Sequence, residues 1–452
     1  MKLLKSVQAL VVVVVSVSAV AATSEGSARL DVYDWATANG ANTSKVVLKD
    51  DGEAGSILHA REDIEQGEVI LSLPANLLFP TRVSEHSPVA HMIENTTIGR
   101  ITAICLYLIS ERADRSSHWE TWLRSLPPHF YHALSYSEED MAHFQASSFK
   151  ELRDRKKKNV RKEYEQTVAP LLHKLPAFDP LLAAVDQENN VTREAFSYEA
   201  FEWAYSVVTT RGIFPGLLGE EEREGDVPLL VLGPLADSFI HGAAAVKIAY
   251  DANEHRCIFT ALHKIAKNSA ISIGVGMSSN MELLANRGFM MQNNVNNFVL
   301  MKFQLDKDSD MHASARESMM KQLNLSNPMT YVVRYGEMPQ GLLASLRIQS
   351  LSPVEFASFA KALASPVTLE NEWRAYRLLI SSCNTILNLY PTTIEEDENA
   401  LTQSEPSRPL RAAILLRREE KLIYESIKTW ANDAWASILY ASAAPADGSS
   451  SH

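Results

Sequence analysis

Residues able to do chemistry are spread thinly along this chain. His255, Cys257 and His263 fall together in HRCIFTALH, with the first two placed two apart on one strand face, so they could be drawn as metal ligands. A fourth donor is missing, and no metal is expected there. The usual catalytic signatures are absent: there is no H-E-x-x-H, no G-x-S-x-G, no P-loop and no C-x-x-C pair. The common protease, hydrolase, ATPase and zinc-finger readings therefore lack their motifs. Arg153, Arg155, Lys156, Lys157, Lys158, Arg161 and Lys162 form a basic run that reads as the exposed face of a long helix or, alternatively, as a docking patch for an acidic partner. Cys105, Cys257 and Cys383 are too few and too far apart for a disulfide framework. Cys105, inside ITAICLYLIS, reads as a buried small hydrophobe.

The elements that must position any site follow from periodicity. From about 46 to 80, β-branched runs punctuated by Asp-Gly, Ala-Gly and Gln-Gly predict hairpins. Helical spacing takes over between about 101 and 208, and the acidic GEEEREGD after Leu218 reads as a solvated loop. Strand-like segments return at VLGPLAD, AAAVKIAYD, HRCIFTAL, AISIGVG and NNFVLMKFQL. From about Ser314 to Leu439 everything reads as helical, with Trp373, Tyr376, Leu379, Ile386 and Leu389 in an amphipathic register. The tail, 441–452, reads as disordered.

Length and charge narrow the function. A chain of 452 residues exceeds what one core usually fills, so two or three domains are expected. The formal charge of −12 repels phosphate backbones over most of the surface, which argues against nucleic acid as a partner. Lys2 and Lys5, the apolar Ala9–Val15 stretch and the small residues Ala19 and Ala21 predict a signal peptide over 1–21, cleaved after Ala21, with no membrane span in the mature chain. The expected location is the secretory pathway, either secreted or in the endoplasmic reticulum lumen. Sequons at Asn42, Asn95, Asn190 and Asn324 are then glycan candidates.

An ordered series of motifs resembles one family along nearly the whole mature chain. GSILHAREDIEQGEVILSLPANLL resembles the first strands of a SET domain of the Rubisco large-subunit methyltransferase and actin-histidine methyltransferase class. SSHWETWLRSLP and the charged helix after it look like that class's helical insertion. FEWAYSVVTTRGI, GPLADSFIHG and ISIGVGMSSNMELLANRGFMMQNN are similar to its later SET motifs. NEWRAYRLL, LYPTTIEED and RAAILLRREEKLI resemble its C-terminal helical substrate-binding domain. The resemblance implies an α+β chain: a SET β-fold over 45–305 with a helical insertion at about 111–215, then an all-α domain over 310–440 on which a protein substrate or partner docks.

It also implies methyl transfer from S-adenosylmethionine to a protein lysine or histidine. Carried over residue by residue, Gly55 is the first glycine of the cofactor loop, Arg211 the holder of the methionine carboxylate, and Asp237 and His241 the Asp and His of a further cofactor motif. The departures are chemical. Ile57 replaces the loop's second glycine, Ile240 the motif asparagine, Val275 one tyrosine, and Arg287 the tyrosine that the family uses in catalysis. Tyr250 is another hydroxyl that could approach from a neighbouring strand, and Arg287 could instead point outward into solvent. Two functions follow: an active S-adenosylmethionine-dependent methyltransferase, or a catalytically silent SET-fold module that binds a protein.

Overall fold

The computed structural model describes residues 14–16, 25–50, 56–80, 87–175, 191–213, 230–305, 307–308, 310–339, 341–403 and 406–443. Gly55, the acidic loop after Leu218, Asn190 and residues 444–452 lie outside them, as does the expected leader apart from Val14–Ser16, whose backbone pairs antiparallel with Phe289–Met291. The chain divides into two compact units, 1–138 with 148–292, and 139–147 with 293–452.

The first unit is built on short, twisted strand groups. β1 (Val46–Asp50) pairs antiparallel with β2 (Ser56–Ala60). β3 (Val69–Pro74) joins a three-stranded antiparallel sheet from much later in the chain, after the short β4 (Ile240–Gly242): its partners there are β5 (Val246–Asp251) and β6 (Arg256–Ala261), in the order β3-β6-β5. Along β5, Val246 and Ile248 are buried while Lys247 and Ala249 are exposed, the alternation expected of a sheet with one dry face. β7 (Ser272–Gly274) runs parallel to β4. The early and late stretches share one core, in which Leu58, Ile70, Leu71 and Leu73 pack with Ile248, Phe259, Ile271 and Ile273. Backbone bonds stitch the same halves together: the Ala60 N–H donates to Ser269 O and the Ile271 N–H to Leu58 O, both at 2.9 Å.

Between the halves lies the helical insertion, with α1 (Arg100–Ala113), α2 (Phe149–Glu163) and α3 (Tyr198–Arg211). Its core gathers Leu106, Trp122, Phe196 and Phe201, and Cys105 is fully buried within it. The basic run on α2 is not uniformly solvated. Arg153 is buried, donating to Glu138, Asp154 and the Tyr136 carbonyl, and Lys156 turns toward α4 (Asn280–Arg287). The stretch VLGPLAD does not form a strand. Val231 makes an isolated bridge to Ile213, and beyond Gly233 and Pro234 the chain turns through one 3-10 turn at Ala236–Ser238.

The second unit is mixed rather than wholly helical. After β8 (Phe289–Met291) of the first unit, β9 (Phe298–Phe303) pairs antiparallel with β10 (Met329–Arg334), whose MTYVVR sequence buries Met329 and Val333. The last strand expected within the SET portion thus takes its partner from beyond it. α5 (Leu342–Gln349), α6 (Leu369–Leu387), α7 (Ile394–Gln403) and α8 (Arg408–Ala443) complete the unit, so 441–443 close a helix instead of opening a disordered tail. The dry stripe of α6 is Ala375, Tyr376, Leu379 and Cys383; Trp373 and Leu389 are exposed, and Arg377 sits 4.4 Å over the Trp373 ring. Buried ion pairs pin the helices: Arg347 grips Glu372 with two bonds of 2.5 and 2.8 Å, and Asp397 pairs with Arg417 and Lys421. No described helix is long and apolar enough to cross a membrane.

Phe259 is fully buried where β3, β5 and β6 meet, its ring stacked on Phe239 at 5.1 Å. Phe259→Ala is expected to cost about 3–5 kcal/mol in urea unfolding followed by tryptophan fluorescence. A cost below about 1 kcal/mol would contradict a core shared by the two halves.

Candidate functional site

A cavity of about 140 Å³ opens in the first unit where α3, α4 and β7 converge; its walls include Thr209, Ile213, His241, Val275, Glu282 and Arg287. Local rules fix the helix that carries Arg287. Ser279 caps α4 with a reciprocal capping box to Glu282, and the helix stops at Gly288 with φ +77°. A Cβ at Gly288 would lie 2.3 Å from the Tyr131 carbonyl oxygen, so glycine is required twice over, by conformation and by space.

That stop sets Arg287 against the end of α3. Its Nη1 donates to Gly212 O at 2.6 Å and to Thr210 O at 3.4 Å. A cation at carbonyls that finish a helix is favourably placed on the negative end of the dipole. Burial lowers the Arg287 pKa to about 10, which leaves the group charged at neutral pH. Arg287 therefore neither points out to solvent nor stands unpartnered. Lys156 Nζ donates to Ala285 O at 2.9 Å and Asn286 Oδ1 at 2.8 Å, and burial followed by Arg287's charge lowers its pKa to about 8.

His241 also lines the cavity. Its ring stacks on Phe289 with centroids 5.0 Å apart and planes 2° from parallel. Burial first, then the charges of Arg287 and Arg211, lower its pKa to about 3, against a hydrogen bond to the Thr210 backbone that favours the cation. The ring is neutral at pH 7, and its Nδ1 is buried without a partner. On the far side of Arg211 a narrow crevice of about 40 Å³ is bordered by Leu48, Ser56, Leu126, Arg211 and Asp237. Arg211 Nη1 donates to Asp237 O at 3.4 Å, and Trp122 Nε1 donates to Asp237 Oδ2 at 3.0 Å. Burial raises the Asp237 pKa, while Arg211 and the Trp122 bond pull it back.

The structure thus brings Arg211 and Asp237 together at the crevice, and His241, Val275 and Arg287 around the cavity. Gly55 is outside the described residues, although its neighbour Ser56 borders the crevice. Ile57 is buried, and Ile240 is used in the ladder, its N–H donating to Ile271 O at 3.1 Å. Tyr250 packs against the sheet core, and no tyrosine is among the described residues lining the cavity. Lys156, Trp122 and Thr210 were not singled out from sequence. For Lys156 the only signal was its place in the basic run, which does not say which of seven cations turns inward. Chemically, the cavity offers a fixed cation, a neutral imidazole and a carboxylate, and lacks a phenolic hydroxyl.

With this geometry in hand, comparison with known proteins is informative. Residues 307–423 match the family described as Rubisco LSMT substrate-binding. The chain is similar to the actin-histidine N-methyltransferase of Canis lupus familiaris, 27% identical over 419 residues spanning 87% of this chain and 67% of that protein. The Homo sapiens protein of the same name is 26% identical with the same coverage. Among solved structures, Rubisco LSMT bound to sinefungin and monomethyllysine superposes with a TM-score of 0.68 at 21% identity, over 91% of this chain and 93% of that one. The SET domain of LSMT bound to lysine and AdoHcy gives 0.67 at 20% identity, over 91% and 92%. The fold is therefore that of the SET domain with a C-terminal substrate-binding region.

A histidine buried neutral makes stability depend on pH. His241 has a folded pKa of about 3 against an ordinary value of 6.5, so the unfolded chain takes up a proton first as pH falls. Its contribution is complete above about pH 6.5 and is lost by about 1.4 kcal/mol per pH unit on acidification toward pH 4. His241→Phe keeps a ring for the stack on Phe289 and is expected to flatten the dependence of urea-unfolding free energy on pH by that slope between pH 6 and 4. Parallel curves for the two proteins would show that His241 titrates normally.

Proposed function

We propose that this chain, a SET-class protein with a Rubisco LSMT substrate-binding region at residues 307–423, is a catalytically silent member of the protein methyltransferase class that works by binding a protein partner. The observation that carries this reading is the half-buried guanidinium of Arg287 on the cavity wall, held by Gly212 O and Thr210 O, in the place where the family's catalytic tyrosine is expected.

Methyl transfer of the class type takes the methyl of S-adenosylmethionine to a neutral side-chain nitrogen approaching in line, oriented by a hydroxyl and by carbonyl oxygens. A guanidinium only donates hydrogen bonds and cannot accept one from an incoming amine. It also stays charged. At about 4–6 Å from a sulfonium, like charges oppose binding by on the order of 2–4 kcal/mol at an effective dielectric near 20, or one to three orders of magnitude in affinity. The residues thus fit the cofactor unevenly. Arg211 and Asp237 would suit its carboxylate and amino end, whereas Val275 and Arg287 on the cavity wall do not suit its reacting centre, and Ile57 and Ile240 replace a glycine and an asparagine of its binding motifs. No transfer step is derived through it.

The leader expected over 1–21 would carry the chain into the secretory pathway, and this supports the same reading, because the methyl donor is made in the cytosol. The paired Arg211 and Asp237 favour the second reading, S-adenosylmethionine-dependent methylation of a protein lysine or histidine.

With tritiated S-adenosylmethionine and protein extract from its own organism, the purified chain is expected to label nothing above background. Arg287→Tyr should tighten cofactor binding tenfold or more without giving turnover. Adding Ile57→Gly, Ile240→Asn and Val275→Tyr is expected to recover labelling. Turnover by the unmodified protein at about 0.01 s⁻¹ or faster, well above an uncatalysed background, would overturn the silent reading.

A further inference from the structure

The Arg287 guanidinium uses one nitrogen, Nη1, to hold Thr210 O and Gly212 O, while its Nε and Nη2 make no hydrogen bond among the described residues. Those two nitrogens form the edge with which arginine grips a carboxylate through two parallel bonds. On another wall of the same cavity, His241 Nδ1 is buried and unpartnered. A buried polar atom without a partner is costly and calls for a ligand or an ordered water. In the neutral ring, Nδ1 donates or accepts one hydrogen bond according to the tautomer. Thr209 and Asn286 add polar groups to the lining, while Ile213, Ile273 and Val275 supply apolar walls. Glu282, the cavity's carboxylate, is already engaged by the Ser279 N–H and hydroxyl at 2.8 and 2.9 Å.

We propose that this cavity is a carboxylate pocket that receives an aspartate or glutamate side chain of the protein partner, with the Arg287 edge as its clamp and His241 Nδ1 as a second hydrogen-bonding contact to the same partner. A volume of about 140 Å³ matches one such side chain; it is near the 150 Å³ that accommodates a benzene-sized group and far below the ~300 Å³ of a typical small-molecule site. The charge selects the same class. A lysine ammonium entering here meets a fixed cation whose withdrawal would strip the carbonyls at the end of α3, whereas a carboxylate neutralises it. The inference rests on the protein-binding reading above and names the chemistry of that partner's inserted residue.

The test is fluorine NMR of difluoroacetate in the presence of the purified full chain at pH 7 and constant ionic strength. Saturable line broadening with a millimolar Kd is expected. N-acetyl-glutamate methylamide should displace the probe, and N-acetyl-lysine methylamide should not. Arg287→Met should weaken binding at least tenfold, and Arg287→Lys, which keeps the charge without the two-nitrogen edge, by an intermediate factor; thermal melting establishes that each variant is folded, and either alone suffices. Broadening unchanged in both variants, or displacement by the capped lysine, overturns the pocket. Displacement by free methionine but not by the capped glutamate overturns the side-chain assignment and gives the pocket to a small-molecule carboxylate. Failure here with no methyl transfer would leave the silent reading intact, whereas methyl transfer by the unmodified chain would sink that reading whatever difluoroacetate does.

Discussion

A half-buried guanidinium set against peptide carbonyls organises the functional half of this molecule. Arg287 ends α4, and Gly212 O and Thr210 O at the end of α3 hold its charge. Burial is costly for any ion, yet arginine retains its proton here, with a pKa pushed down only to about 10. The arrangement requires Gly288, because no other residue could turn the chain at φ +77° with the Tyr131 carbonyl where a Cβ would be. It also requires α3 to end where it does, after Arg211, whose own guanidinium meets Asp237. One cation thereby ties the helical insertion to the last motif of the β-fold.

The same charge sets the protonation of its neighbours. Lys156 and His241 are both driven toward their neutral forms, first by burial and then by Arg287. A nearby lowered lysine and a neutral imidazole would suit a site that moves protons. Geometry says otherwise here, since Lys156 is spent on Ala285 O and Asn286 while His241 is locked in a stack on Phe289. Burial beside Arg287 accounts for both shifts.

Much of the architecture was legible because it is written in periodicity and in motif order. The early and late strand groups share a core through alternating residues such as Val246 and Ile248, which a period of two reveals. The substitutions at Ile57, Ile240, Val275 and Arg287 were visible as departures from a pattern. What sequence did not carry was direction. Lys156 and Arg153 look like their solvated neighbours on α2 until Glu138, the Tyr136 carbonyl and α4 are placed beside them. β10 hid in a stretch read as helical because its pairing with β9 joins segments about 30 residues apart, a tertiary contact that local spacing does not encode. Trp373 was read into the dry stripe of α6, but the face is set by what packs on it, and Arg377 covers the ring at the surface instead.

On the reading proposed above, the fixed positive charge of Arg287 opposes the cofactor's sulfonium. Calorimetric titration of the unmodified chain with S-adenosylmethionine and with S-adenosylhomocysteine isolates that charge, since the two ligands differ by one methyl group and by the positive charge on sulfur. The uncharged thioether is expected to bind at least tenfold more tightly, with a gap that narrows in Arg287→Tyr and shrinks little with salt because the charges would meet at close range inside the cavity. Equal affinities for the two ligands, or tighter binding of the sulfonium, would contradict it.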